Sequence, residues 1–125
     1  MKIRLEGGLP FVTATLRYAG RELSLEQVLL DTGSGGSVFA ADDVFRLGLL
    51  PEPEDPIQRV RGIGGTEYVF SKRLDALLLG SMRVDAFKIQ VGAMDYGFRI
   101  QGIVGLDFLL QAGTVIDLKE LEIRG

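Results

Sequence analysis

Val28-Leu29-Leu30-Asp31-Thr32-Gly33-Ser34 sets an apolar run directly against a carboxylate, a hydroxyl residue and a glycine. An ionised Asp is costly to bury unless it is paired or hydrogen-bonded. The stretch therefore predicts a buried strand that presents one carboxylate on a tight turn. Gly33 lets the backbone turn sharply and come close to another group. Thr32 and Ser34 each bring a hydroxyl that can donate to a carboxylate or to the backbone. Taken alone, Asp31-Thr32-Gly33 also reads as a strand followed by an ordinary Asx turn. A second stretch, Ile103-Val104-Gly105, shifts the balance once the chain between them is read.

Composition limits the chemistry. The chain has 125 residues, and one domain over 1–125 is the expectation. Hydrophobic residues make up 46% and charged residues 25%, which suits a packed domain and not a disordered one. Cysteine and histidine are both absent. Ser-His-Asp and Cys-His sites are thereby excluded, as are zinc sites built from His and Cys. Disulfides are excluded too, so the core alone must hold the fold. Asp, Glu, Lys, Ser and Tyr are the catalytic types left. No metal and no cofactor is expected. A net charge of −3 argues against a nucleic-acid footprint. No apolar run approaches the ~20 residues of a membrane span, and no signal peptide is visible. The expectation is therefore no membrane partner and a cytoplasmic location.

Short apolar runs punctuated by 17 glycines predict many strands and tight turns. Met1 to Leu5 alternates with period two, and Gly7-Gly8 breaks it. Phe11 to Tyr18 and Leu23 to Leu30 read as a hairpin turning at Ala19-Gly20-Arg21-Glu22. Ser37 to Phe39 is a brief strand, then a short helix runs to about Leu47 and stops at Gly48. Asp42 or Asp43 suits its positive end. Pro51, Pro53 and Pro56, with Glu52, Glu54 and Asp55, make an acidic loop. Arg59 to Val69 is a hairpin with glycines 62, 64 and 65 at its tip. Further strands are expected over Leu74 to Leu79, Met82 to Val91, Phe98 to Val104 and Thr114 to Leu118. A short helix over Asp107 to Gln111 ends at Gly113, with Asp107 as its N-cap. Asp117 is a turn or surface carboxylate. Leu121 to Arg124 alternates again.

Asp31-Thr32-Gly33-Ser34, a short helix ending Leu47-Gly48-Leu49, a glycine-tipped hairpin and Ile103-Val104-Gly105-Leu106-Asp107 follow in that order. This order resembles the retropepsin-like aspartic proteases, the single-domain relatives of pepsin, over roughly residues 11 to 124. The resemblance implies an all-β, closed barrel-like fold with one or two short helices. It implies that Asp31 is the catalytic aspartate, within the catalytic motif Asp31, Thr32 and Gly33. Thr32 would bridge to a partner subunit, and Ser34 would donate toward the carboxylate. Gly105 would allow close contact beside the Asp31 loop. Gly62 to Tyr68 would be a flap over bound peptide, with Gly64 and Gly65 permitting it to open. Val38, Val60 and Ile63 would wall the substrate pockets.

Aspartic protease chemistry needs two carboxylates, one ionised and one protonated. The chain carries a single Asp-Thr-Gly and no Asp-Ser-Gly. The expected partner is thus a second copy, a homodimer joined across a two-fold axis, with a peptide or protein as substrate. In that family the terminal strands of two subunits interleave into one sheet. The alternative is that Met1 to Leu5 and Leu121 to Arg124 pair within one chain. Two other functions remain open on sequence alone: a non-catalytic dimerisation or peptide-binding module of the same fold, and an anion cradle at Gly33-Ser34-Gly35-Gly36. The cradle lacks a following Lys and opens onto no convincing helix.

Overall fold

The computed structural model describes residues 1–62, 65–95 and 97–125, with the backbone alone for 60–62 and 65–67. Among the described residues ten strands carry the fold: β1 (Arg4–Glu6), β2 (Leu9–Tyr18), β3 (Arg21–Leu30), β4 (Val38–Ala40), β5 (Ile57–Gly62), β6 (Gly65–Leu79), β7 (Met82–Gly92), β8 (Gly102–Val104), β9 (Val115–Asp117) and β10 (Glu122–Arg124). Two short helices join them, α1 (Ala41–Val44), which runs on as a 3-10 turn to Leu47, and α2 (Leu106–Gln111).

The main sheet has the order β1-β2-β3-β8-β4-β7-β6-β5, and β2 also pairs with β6. The run from β2 to β6 therefore closes on itself, and the all-β, barrel-like expectation holds. Closure removes most open edges, which would otherwise invite pairing with other chains. Two joints are parallel, β3 with β8 and β4 with β7; the other pairings are antiparallel. Alternation along β2 sends Val12, Ala14 and Leu16 inward, and on β3, where the register shifts between the Val12–Val28 and Ala14–Leu25 pairs, Leu25, Val28 and Leu30 are buried. The β2–β3 hairpin turns on Ala19 and Gly20, both with positive φ (51° and 78°), as a two-residue type I′ turn demands.

Several expectations are corrected. Val69 and Leu74 to Leu79 belong to one strand, β6, because Lys72 between them is buried and paired instead of looping out. Phe98 to Val104 is a strand only from Gly102. The terminal segments pair inside the chain. Ile3 N–H donates to Leu121 O at 2.9 Å, Ile123 N–H to Met1 O at 2.9 Å, and the Met1 ammonium to Ile123 O at 3.0 Å. Lys2 faces Glu122, and β10 also pairs with β9. Both backbone edges of β10 are thus satisfied within the chain, as in the intrachain alternative. Asp117 is a turn carboxylate as expected, accepting the N–H groups of Lys119 and Glu120.

Lys72 shows how the acidic loop is used. Its ammonium sits 2.6 Å from Glu52 and 2.8 Å from Asp55, with the side chain only 5% exposed. Burial alone would lower the Lys72 pKa, but hydrogen bonds with Asp55 and Glu52 outweigh it and hold the pKa raised. Hydrogen bonding to Lys72 is likewise the main reason that both carboxyls titrate below their usual range. Depressed carboxyls add stability that is complete above the ordinary carboxylate range and is lost as pH falls through their folded values. The raised lysine adds stability that is lost only at strongly alkaline pH. Lys72→Met should therefore lower Tm at pH 7, and its deficit should shrink as pH falls below about 4. Equal deficits at pH 7 and pH 3 in thermal melts would show that the loss comes from packing and not from the ionised carboxyls.

Candidate active site

The carboxylate loop begins where β3 stops. Val28, Leu29 and Leu30 lie parallel to Gly102, Ile103 and Val104, so the two motifs of the sequence are neighbours in one sheet. Asp31 N–H continues the ladder, donating to Val104 O at 3.0 Å. The chain then turns: Gly33 N–H donates to Asp31 Oδ1 at 2.9 Å, and Ser34 N–H to Asp31 O at 3.1 Å. Asp31 is half-buried, while Thr32 and Gly33 are exposed. A Cβ at Gly33 would stand 3.2 Å from Asp31 Oδ1, so a side chain there presses on the carboxylate.

Gly105 packs beneath this turn. A Cβ on Gly105 would lie 2.5 Å from Ser34 O and 2.6 Å from Gly36 O, closer than real atoms approach. Leu106 N–H donates to Ser34 O at 2.8 Å, tying the first turn of α2 to the loop. The helix itself is anchored by Phe108 and Leu109, both buried. Phe108 meets Phe87 of β7 edge-on, with centroids 5.6 Å apart. Such a pair adds about 0.5–1.5 kcal/mol beyond simple burial.

Two sequence-based roles change. Ser34 Oγ–H donates to Gly36 O at 2.7 Å and not to the Asp31 carboxylate. The tight loop brings that carbonyl within the hydroxyl's reach, and Asp31 takes a backbone N–H instead. Asp107 is no N-cap; that position belongs to Gly105, which makes no side-chain cap bond. Asp107 instead reaches across to the far end of the carboxylate loop. Its Oδ1 accepts from Ser37 Oγ–H at 2.8 Å and its Oδ2 from Ser37 N–H at 3.1 Å. Ser37 is 1% exposed and accepts Gly105 N–H at 3.0 Å. Neither partner stands out in the sequence, because they lie 70 positions apart.

Of the expected pocket walls, Val38 is half-buried on β4 between Gln90 of β7 and Ile103 of β8. Val60 lies on β5 opposite Glu67 of β6. Gly65 opens β6 opposite Gly62, and Ile63 and Gly64, the expected flap tip, lie outside the described residues. Gln90 and Gln58 were not anticipated. Their side-chain amides bond to each other, Nε2 to Oε1, and so link β7 to the β5 arm of the hairpin. An apolar hollow of about 290 Å³ lies beside Thr32, lined by Pro10, Leu30, Ile116 and Leu118. A larger cavity, about 480 Å³, lies over Lys72 and Lys88 and does not include the Asp31 loop. No group of acidic side chains suited to holding a metal ion occurs among the described residues.

A strand-end carboxylate on Asp-Thr-Gly, seated on a second apolar-apolar-Gly strand, is what the resemblance requires. The family model for aspartyl protease matches residues 14–108, well over half the chain. The chain belongs to the aspartyl protease family. Among solved structures it is similar to a retropepsin-like aspartic protease from Rickettsia conorii, with a TM-score of 0.68 and 20% identity. That match covers 97% of this chain and 93% of the other. At this identity the likeness establishes the retropepsin-like fold. No curated protein matches the chain. No helix among the described residues is long and apolar enough to cross a membrane.

Proposed function

We propose that the chain is an aspartic endopeptidase that acts as a homodimer, with one Asp31 from each subunit. The observation that carries this is the Asp31 turn itself, seated by Val104 and Gly105 in a member of the aspartyl protease family. One carboxylate takes a proton from water while the other, protonated, polarises the scissile carbonyl. Two carboxylates about 3 Å apart cannot both ionise, so the pair holds a single proton. Water is the nucleophile, and no covalent intermediate, metal or cofactor takes part. An extended peptide is held by main-chain hydrogen bonds, with its side chains in pockets that include Val38.

Because the terminal strands are paired within the chain, the subunits meet through side chains near the Asp31 loop. Exposed Thr32 and the apolar hollow beside it support that choice, as do Leu106 and Leu118, both exposed. A non-catalytic module of the same fold is the second reading, supported by terminal strands whose hydrogen bonds are already met within the chain. Incubation with mixed peptides, with and without a transition-state-mimicking aspartic protease inhibitor, separates the two. Cleavage blocked by the inhibitor is expected; intact peptides at every pH from 3 to 8 would favour the module.

Association makes activity depend on concentration. Specific activity should fall on dilution, in step with loss of the dimer by sedimentation. A monomer that keeps full activity at every concentration would overturn the shared pair.

A further inference from the structure

We propose that Asp107, acting through Ser37, is a positioning residue that fixes the height and tilt of the Asp31 loop for the reaction. The proposal rests on the peptidase reading above. The Asp31 loop is held at two ends. At its start, Asp31 N–H is fixed on Val104 O, at 3.0 Å. At its far end the backbone leaves the turn through Gly35 and Gly36 and enters β4 only at Val38. Those glycines have no side chains to pack, so something else must hold that end. Ser37 does so. Its N–H and its hydroxyl both donate to Asp107, and its oxygen receives Gly105 N–H. The hydroxyl is therefore used as donor and acceptor at once, and the carboxylate accepts with both oxygens.

The consequence reaches Asp31 through one short path. Ser37 holds Gly105 at the bottom of the turn, and Gly105 lies against the carbonyls of Ser34 and Gly36. Ser34 N–H in turn donates to Asp31 O. A shift at Ser37 therefore moves the backbone that aims the carboxylate. Hydrogen bonds to a charged acceptor are roughly twice as strong as neutral ones, which suits a clamp that must not slip. Asp107 also accepts the N–H of Phe108 at 2.9 Å, so its position is set by α2, which Phe108 and Leu109 lock into the core. The clamp thus transmits the rigidity of the core to the loop.

Three variants test this, read by kinetics and by amide hydrogen exchange. Asp107→Ala and Ser37→Ala should lower kcat by about 10²-fold, the scale of a misplacement near 1 Å, with KM changed less than about threefold. Asp107→Asn keeps one acceptor oxygen for the Ser37 amide and should restore a substantial part of kcat. In the two Ala variants, exchange at the amides of Ser34, Ser37 and Leu106 should quicken at least about tenfold, while the β6–β7 pairing stays protected. Unchanged exchange at those amides overturns the clamp, whatever happens to activity. Faster exchange with unchanged kcat, or a loss confined to Tm, shows a structural role only and overturns the positioning. If the unaltered protein cuts no peptide, the peptidase reading fails, and the exchange data then decide the clamp by themselves.

Discussion

Asp31→Asn is expected to leave the fold and the dimer intact and to abolish cleavage. An amide has the shape of a carboxyl group, and its oxygen can still accept Gly33 N–H, now at 2.9 Å. What it lacks is proton chemistry. It neither takes a proton from water nor shares one with its mate, and in a symmetric dimer one substitution removes both groups of the pair. General acid–base catalysis contributes about 10²–10⁴-fold, so kcat should drop at least a hundredfold. The melting temperature and the sedimentation behaviour should barely move. Residual turnover above roughly one part in a hundred would sink the paired-carboxylate mechanism. A large change in stability with activity retained would mark Asp31 as an ordinary turn residue.

Gly105→Ala should be nearly as damaging, for a steric reason. Gly105 has extended backbone geometry (φ −100°, ψ −172°), which any residue can adopt, so the cost is not conformational. It arises because the new methyl would sit 2.5 Å from Ser34 O and 2.6 Å from Gly36 O. Both are backbone atoms and have no rotamer to change. The loop must lift by the better part of an ångström, carrying Asp31 with it. Overpacking of this kind costs about 1–3 kcal/mol, and displacement of a catalytic group by about 1 Å costs up to 10² in rate. Thermal melts and kcat measured together check this. A variant with wild-type values of both would show that the close approach has room to spare.

Much of this was legible in the sequence because it was local. The β2–β3 hairpin, the carboxylate at the end of β3, the glycine in the second motif and the short helices all follow from runs of a few residues. What escaped depends on pairs of residues far apart. Asp107 looks like a helix cap when only its neighbours are read, since Asp before an apolar run is a common start signal. Its real partner, Ser37, becomes visible only once β8 has been laid beside β3 and β4. Lys72 interrupts β6 in the sequence because a charge between apolar runs suggests a turn. Only the folded acidic loop, with Glu52 and Asp55 beside that ammonium, makes a buried lysine tolerable in a strand. The fate of the terminal strands was open for the same reason, as their alternation specifies a partner face and not a partner chain.

The clamp on the carboxylate loop has a consequence for the order of assembly. Asp31 is made well before the residues that seat it: Val104, Gly105 and, 70 positions beyond Ser37, Asp107. Contacts this distant require closing a long loop before they return any stabilisation, and folds rich in them form slowly, in milliseconds to seconds. A nascent chain that ends before α2 therefore has its carboxylate and no seat for it. If the chain is the peptidase proposed above, cutting can begin only once α2 has been made and seated, so the unfinished chain is shielded from that chemistry.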